Sequence, residues 1–240
     1  LELAEQRQII CPPDGHGAMP GEEETRGNGG SGPRPERLRT SDDRAQAAAL
    51  MAGAFRESQS YKHMLESRGE AKREVLLASL FEKNLALQKD ACWCSRRHED
   101  GSLQCAFLLT PSDAPPVSFF RMVRGGLLQL LLQWGLGPVG RLLRAKAWHE
   151  RSYAEALGTR PHLVLERMAV SRNQRGGGIG TATLAGALAV DADAKGLPVV
   201  LTTQEARNVR FYRRLGFEVA LEEEYPPGIT NTIMVREPTL

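Results

Sequence analysis

The chain has 240 residues, a formal net charge of +2 and 41 % hydrophobic residues, enough for one domain with a sizeable core, with or without a tail. So small a net charge gives no reason to expect nucleic acid as a partner. The most apolar run, GGLLQLLLQWGLGPVGRLL, is broken by Gln, Gly and Pro, so no stable membrane insertion is expected.

Between Cys11 and Arg37, 12 of 27 residues are Gly or Pro, and Glu22, Glu23 and Glu24 cluster among them. Such a stretch buries too little apolar surface to offset its ordering entropy. Residues 1–37 therefore read as a disordered tail and 38–240 as the folded domain. Leu38 and Arg39 suit a short strand, and Ser41 or Asp42 a helix N-cap. Ala47, Leu50, Met51, Ala54 and Phe55 recur at steps that place them on one helix face. A second helix is predicted over AKREVLLASLFEKNLALQ. The segment ACWCSRRHEDGSLQCAFLLTPSD reads as two strands around a turn at Glu99, Asp100 and Gly101. Two apolar helical pieces follow, about Phe120 to Trp134 and Val139 to Ala156, parted where Gly135, Gly137 and Pro138 interrupt the pattern.

The four cysteines are Cys11, Cys92, Cys94 and Cys105. They read as reduced thiols of an intracellular, cytoplasmic protein. The first residue is Leu1 rather than Met, which leaves a preceding targeting peptide open. Cys92 and Cys94 with His98 leave zinc as an alternative, but the spacing matches no standard zinc pattern, and no metal is expected.

The last third is more regular. PHLVLERMAV is a strand candidate that runs into the loop RGGGIG. Ile179 to Lys195 is predicted as a helix with Gly196 as its stop. LPVVLTT reads as a buried strand parallel to the first. NVRFYRRLG reads as a short helix with Asn208 as N-cap and Gly216 as stop, and FEVALEEEY and TNTIMVREP as two closing strands. Strands alternating with helices argue for an α/β domain with a mixed sheet.

Glycines before a helix expose a row of backbone N–H groups, which suits a phosphate-like anion. The P-loop pattern requires a Lys that RGGGIGT lacks. A dinucleotide-binding Rossmann pattern requires a third Gly where Thr183 stands, although Glu205 lies where a ribose-binding acid is expected. A third pattern fits better: MAVSRNQRGGGIGTATL followed by LTTQEARNVRFYRRLGFEV resembles the GNAT superfamily of acetyl-CoA-dependent N-acetyltransferases. The apolar helical insert and TNTIMVREP resemble the branch that includes puromycin N-acetyltransferase. The resemblance spans roughly Leu38 to Pro238. It implies a mixed, mostly antiparallel central sheet flanked by helices, in one domain.

It also implies a site. Acetyl-CoA is the cosubstrate and a small-molecule amine the acceptor, with no nucleic acid partner. Arg175, Gly176, Gly177, Gly178, Ile179, Gly180 and Thr181 match the loop that holds the coenzyme diphosphate. Met168, Ala169 and Val170 match the strand end that meets the pantetheine arm, and one of their N–H groups the oxyanion donor. Asn208 matches an Asn that contacts the same arm; a helix N-cap is its other reading. Tyr212 stands at the position of a Tyr that protonates the leaving thiolate, or it is a core aromatic beside Phe211. Glu166, expected on the face of Val164 and Met168 unless a bulge intervenes, is the candidate base, or the partner of a nearby Arg. His149 and His162 are weaker base candidates. Trp134 and Trp148 suit the walls of an apolar acceptor pocket, or ordinary helix packing. A catalytically silent acyl-CoA-binding module and a nicotinamide-dependent oxidoreductase are the competing functions.

Overall fold

Thr40 opens the first long helix with a reciprocal cap. Its hydroxyl accepts from the Asp43 N–H at 3.1 Å, and the Asp43 carboxylate accepts from the Thr40 N–H at 3.0 Å. In the computed structural model, which describes residues 33–66, 68–113 and 127–239, this helix is α1, Ser41–Phe55. A strand of two residues, β1, Glu36–Arg37, precedes it. The first strand thus lies just ahead of the predicted Leu38–Arg39, and the N-cap is Thr40 rather than Ser41 or Asp42. Pro35 rests against Gly186, so packing already begins before Leu38. Most of the predicted tail, 1–32, lies outside the described residues.

The chain continues with α2 (Gln59–Met64), α3 (Glu70–Leu87), β2 (Cys92–Arg96) and β3 (Leu103–Pro111). Gly101 turns between the two strands with φ 68°. Then come α4 (Leu127–Trp134), α5 (Leu136–Leu157) and β4 (Leu163–Val170). Only Gly135, at φ 83°, parts α4 from α5. Gly137 and Pro138 belong to the first turn of α5, where the missing proline N–H leaves no helix bond unmade. The first part of the predicted helix from Phe120 lies outside the described residues. The remainder is α6 (Ile179–Asp191), β5 (Val199–Thr203), α7 (Ala206–Arg213), β6 (Glu218–Glu224) and β7 (Thr230–Arg236). A 3-10 turn, Asp193–Lys195, extends α6 to Gly196, which ends it at φ 64°.

The strands form one seven-stranded sheet in the order β1-β2-β3-β4-β5-β7-β6. Every neighbouring pair is antiparallel except β4 with β5. This is the mixed, mostly antiparallel sheet that the resemblance implied. It excludes the doubly wound parallel sheet of a Rossmann domain.

One face of the sheet carries α1, α3 and α5. Phe55, Tyr61 and Phe81 pack there edge to face, with Trp134 fully enclosed beside them. Trp134 therefore takes the helix-packing reading and belongs to the core. Cys92 and Cys94 share this face, as alternation predicts, and burial pushes the Cys94 thiol up to about 12. The other face carries α6 and α7, with Leu184, Leu188, Phe211, Tyr212 and Phe217 buried against Phe107, Leu165 and Met168.

Candidate active site

Strands β4 and β5 pair at only two positions, Leu163 with Val199 and Val164 with Val200. Beyond them β4 keeps its ladder with β3, and β5 keeps its ladder with β7. The middle of the sheet therefore opens beside Leu165–Val170. A register shift helps: Leu108 lies opposite Glu166 while Ala106 lies opposite Ala169, so β4 holds one extra residue. Arg167 sits in that bulge at φ 50°, a left-handed conformation rare for an arginine.

The bulge decides which way the candidate residues face. Glu166 shares the α1/α3 side with Val164, whereas Met168 and Val170 are turned to the α6/α7 side. The expectation that Glu166 and Met168 share a face is thereby corrected. Both Glu166 and Arg167 are fully buried, and the Arg167 guanidinium lies 3.5 Å from the Glu166 carboxylate. The same guanidinium stands 5.2 Å above the Phe81 ring.

After β4 the chain enters the glycine loop. Gly176 and Gly178 adopt φ 84° and 73°, and Gly178 is the N-cap of α6. No side chain caps that helix, so the N–H groups of Ile179, Gly180 and Thr181 have no intrahelical acceptor. Gly180 has a different reason to lack a side chain. A Cβ there would lie 3.0 Å from Val170 Cγ2 and 3.1 Å from Met168 Cε, so glycine lets α6 sit tightly on the end of β4. Arg175 Nε donates to the Val170 carbonyl at 3.4 Å, which folds its stem back along the strand.

From the opposite lip, β5 leads into α7. Glu205, not Asn208, is the N-cap; Asn208 is buried in the first turn and its amide donates to Thr203 Oγ1 at 3.0 Å. The N-cap reading of Asn208 is thus replaced by a tie between α7 and the end of β5. One turn on, Tyr212 is fully buried, and its hydroxyl points at Met168 Sδ, 3.7 Å away on β4. The weaker candidates lie apart. His162 is at the start of β4, away from the bulge, with Nδ1 2.8 Å from the Arg160 carbonyl. His149 is buried on α5, its Nδ1 3.4 Å from Thr202 Oγ1 on β5. Among the described residues no group of three His, Cys, Asp or Glu side chains is arranged to hold a metal ion, and no helix is long and apolar enough to cross a membrane.

On the α1/α3 side lies a cleft of about 310 Å³, closed by α2, α5 and the β6–β7 turn. Ser60 and Met64 line it from α2, Ala145 from α5, and Tyr225 from the turn. The Gln204 amide, just past β5, donates to the Ser60 hydroxyl and to Asn231 Oδ1 at 2.8 Å. Trp148 stacks on Tyr225 with centroids 5.0 Å apart, so this tryptophan braces the cleft from behind. Burial pushes the Tyr225 phenol up, against the opposing influence of Arg144 and Arg151. Sequence reasoning missed Ser60, Gln204, Arg141, Arg144 and Tyr225, since no motif marks residues brought together from four separate segments.

Residues 140–219 match the family described as Acetyltransferase (GNAT) domain. That segment contains β4, the glycine loop, α6, β5 and α7. The fold agrees over a wider range. A histone acetyltransferase HPA2 and related acetyltransferase structure from Corynebacterium glutamicum superposes with a TM-score of 0.63 at 19 % identity, over 87 % of this chain and 98 % of that one. An agmatine N-acetyltransferase superposes with a TM-score of 0.55 at 13 % identity, over 85 % and 99 %. A putative arylalkylamine N-acetyltransferase 7 from the yellow fever mosquito superposes with a TM-score of 0.54 at 16 % identity, over 85 % and 87 %. The chain therefore has the GNAT fold and carries a GNAT acetyltransferase domain match across the two strands that part, β4 and β5.

Proposed function

We propose that this chain is an acetyl-CoA-dependent N-acetyltransferase that passes the acetyl group directly to a small-molecule amine within a ternary complex. The observation that carries this reading is the gap between β4 and β5 with the uncapped α6 N-terminus at its end. Such a helix start attracts a diphosphate through its N–H groups and its dipole. An extended pantetheine arm can add to the unpaired edge at Met168, Ala169 and Val170 much as a further strand would. Asn208 would meet the same arm from the β5 side.

The chemistry asks little of the protein. The amine lone pair attacks the thioester carbonyl, the C–S bond breaks, and the departing thiolate takes a proton. Tyr212 is the proposed donor, because its hydroxyl points toward the post-bulge segment from the α7 side. A backbone N–H at Met168–Val170 would hold the developing oxyanion. Glu166 is the proposed acceptor of the amine proton, directly or through water. It approaches from the α1/α3 side, so donor and acceptor flank the gap from opposite faces. The long helix α5 and the closing strand β7 favour kinship with the branch that includes puromycin N-acetyltransferase, with the acceptor itself left to the cleft.

The Glu166–Arg167 ion pair favours a second reading, an acyl-CoA-binding module without turnover, because the proposed base faces a buried guanidinium. Thiol release from acetyl-CoA against a panel of amines separates the two: binding without turnover selects the second. On a turned-over amine, Tyr212→Phe should leave acetyl-CoA affinity unchanged and lower kcat by roughly 10²–10⁴-fold. Unchanged turnover would return Tyr212 to the core.

A further inference from the structure

The cleft beside the gap has an unusual charge for a site that takes amines. Its body is apolar, built from Met64, Ala145, the Tyr225 ring and the adjoining prolines. Its rim carries His63, Arg141 and Arg144, and among the described residues no carboxylate lines it. Arg141 and Arg144 lie three residues apart on α5, so they share one helix face. Two guanidinium nitrogens of Arg141 donate to the Met64 carbonyl at 3.1 and 2.8 Å, which fixes the group at the end of α2. Arg144 Nε donates to the Gly140 carbonyl at 3.2 Å. Among the described residues neither arginine is paired with an acid.

An organic cation such as a polyamine meets like charge at this rim. A carboxylate meets a planar, always-charged partner whose geometry suits it. We infer that the cleft takes an amine acceptor that also bears a carboxylate, an amino acid with an apolar side chain being the simplest case. Its carboxylate lies at Arg144 and Arg141, its side chain against Met64 and Tyr225. Its amine points inward toward Ser60 and Gln204, which join the cleft to the end of β5. The volume, at the small end for ligand pockets, agrees with an acceptor of that size. This inference rests on the transferase reading for its chemistry, but the charge preference of the cleft can be measured without turnover.

The test uses the full chain with coenzyme A present. Calorimetry compares phenylalanine, phenylalaninamide and phenethylamine, and thiol release from acetyl-CoA is followed with the same three. The expected result is that phenylalanine binds at least about tenfold more tightly than its amide, equivalent to ~1.4 kcal/mol. Arg144→Glu, at an exposed position, should abolish that preference without lowering the unfolding temperature. Arg144→Lys, which keeps the charge but not the planar fork, should retain only part of it, and added salt should weaken it. If the amide or the simple amine binds as well as phenylalanine, or if none of the three binds, the inference is overturned. If the carboxylate preference holds but no thiol is released with these three or across the wider amine panel, the cleft assignment stands and the transferase reading falls.

Discussion

Gly178 sits at φ 73°, and the space a Cβ would occupy there is open. Backbone conformation, not crowding, therefore sets the residue. Asp tolerates the left-handed region better than most side chains, and it is a favoured N-cap that suits the positive end of a helix. Gly178→Asp should accordingly cost no more than about 1–2 kcal/mol of stability, the backbone strain being partly offset by the favourable charge at the helix start. The same carboxylate would face the coenzyme diphosphate. Acetyl-CoA affinity should fall by at least about tenfold, or ~1.4 kcal/mol. Calorimetry beside a melting curve checks both, and undiminished binding by a folded variant would remove the loop from the coenzyme site. Gly176 obeys the same backbone rule, while Gly180 obeys a packing rule, so a single glycine-rich motif serves two physical demands.

At the scale of elements, the contact between α6 and the end of β4 governs the candidate site. Gly180→Ala would push a methyl against Val170 and Met168 at about 3.0 and 3.1 Å. Overpacking of this kind costs about 1–3 kcal/mol. Because Met168 also receives the Tyr212 hydroxyl, the shift should move the loop and the phenol together. The expectation is a lower midpoint in urea and, on any amine that is turned over, losses in both KM for acetyl-CoA and kcat. A variant of parental stability and kinetics would show that α6 can yield without disturbing β4. The bulge at Arg167 is the matching device on the strand, since one extra residue reverses the facing of everything after it.

Across the whole molecule, two acidic residues at the end of α6 bind distant strands together. Asp191 accepts from Arg37 of β1 at 2.6 Å, from the Trp93 indole of β2 at 2.9 Å, and from Lys195 at 2.8 Å. Asp193 takes a two-pronged bond from Arg236 of β7 at 2.8 and 3.0 Å, chiefly through which its carboxyl is held low. Burial pushes the Asp191 carboxyl up, but its bonds to Lys195 and Trp93 and the Arg37 charge outweigh that, and the net shift is downward. A carboxyl whose folded pKa lies below its unfolded one stabilises fully above the unfolded value, ~3.9. That contribution is lost as pH falls through the depressed folded value. Asp191→Asn should therefore cost about 1–3 kcal/mol at pH 7. The deficit should shrink as the pH is taken below ~4. Thermal unfolding of both proteins across that range is the check; a deficit independent of pH would mean that shape, not charge, holds β1 and β2 to α6.

What the sequence determined by itself was local in origin. The period of α1, the turn at Gly101, the stop at Gly196 and the succession of β4, glycine loop and α6 follow from steric and capping rules that act within a few residues. The motif pair pointed to the proposed coenzyme loop for the same reason, since diphosphate binding needs contiguous backbone. Pro138 misled because its effect depends on which helix turn it occupies, and that is set by Gly135 ahead of it. Only the tertiary structure decided the facing of Glu166, because facing after a bulge depends on a count against the partner strand. It likewise decided the partner of Asn208, which is Thr203 on a strand rather than its own helix end. The cleft is the extreme case. Ser60, Arg144 and Tyr225 are far apart along the chain, and only the closure of α2, α5 and the β6–β7 turn around one space puts their chemistry together.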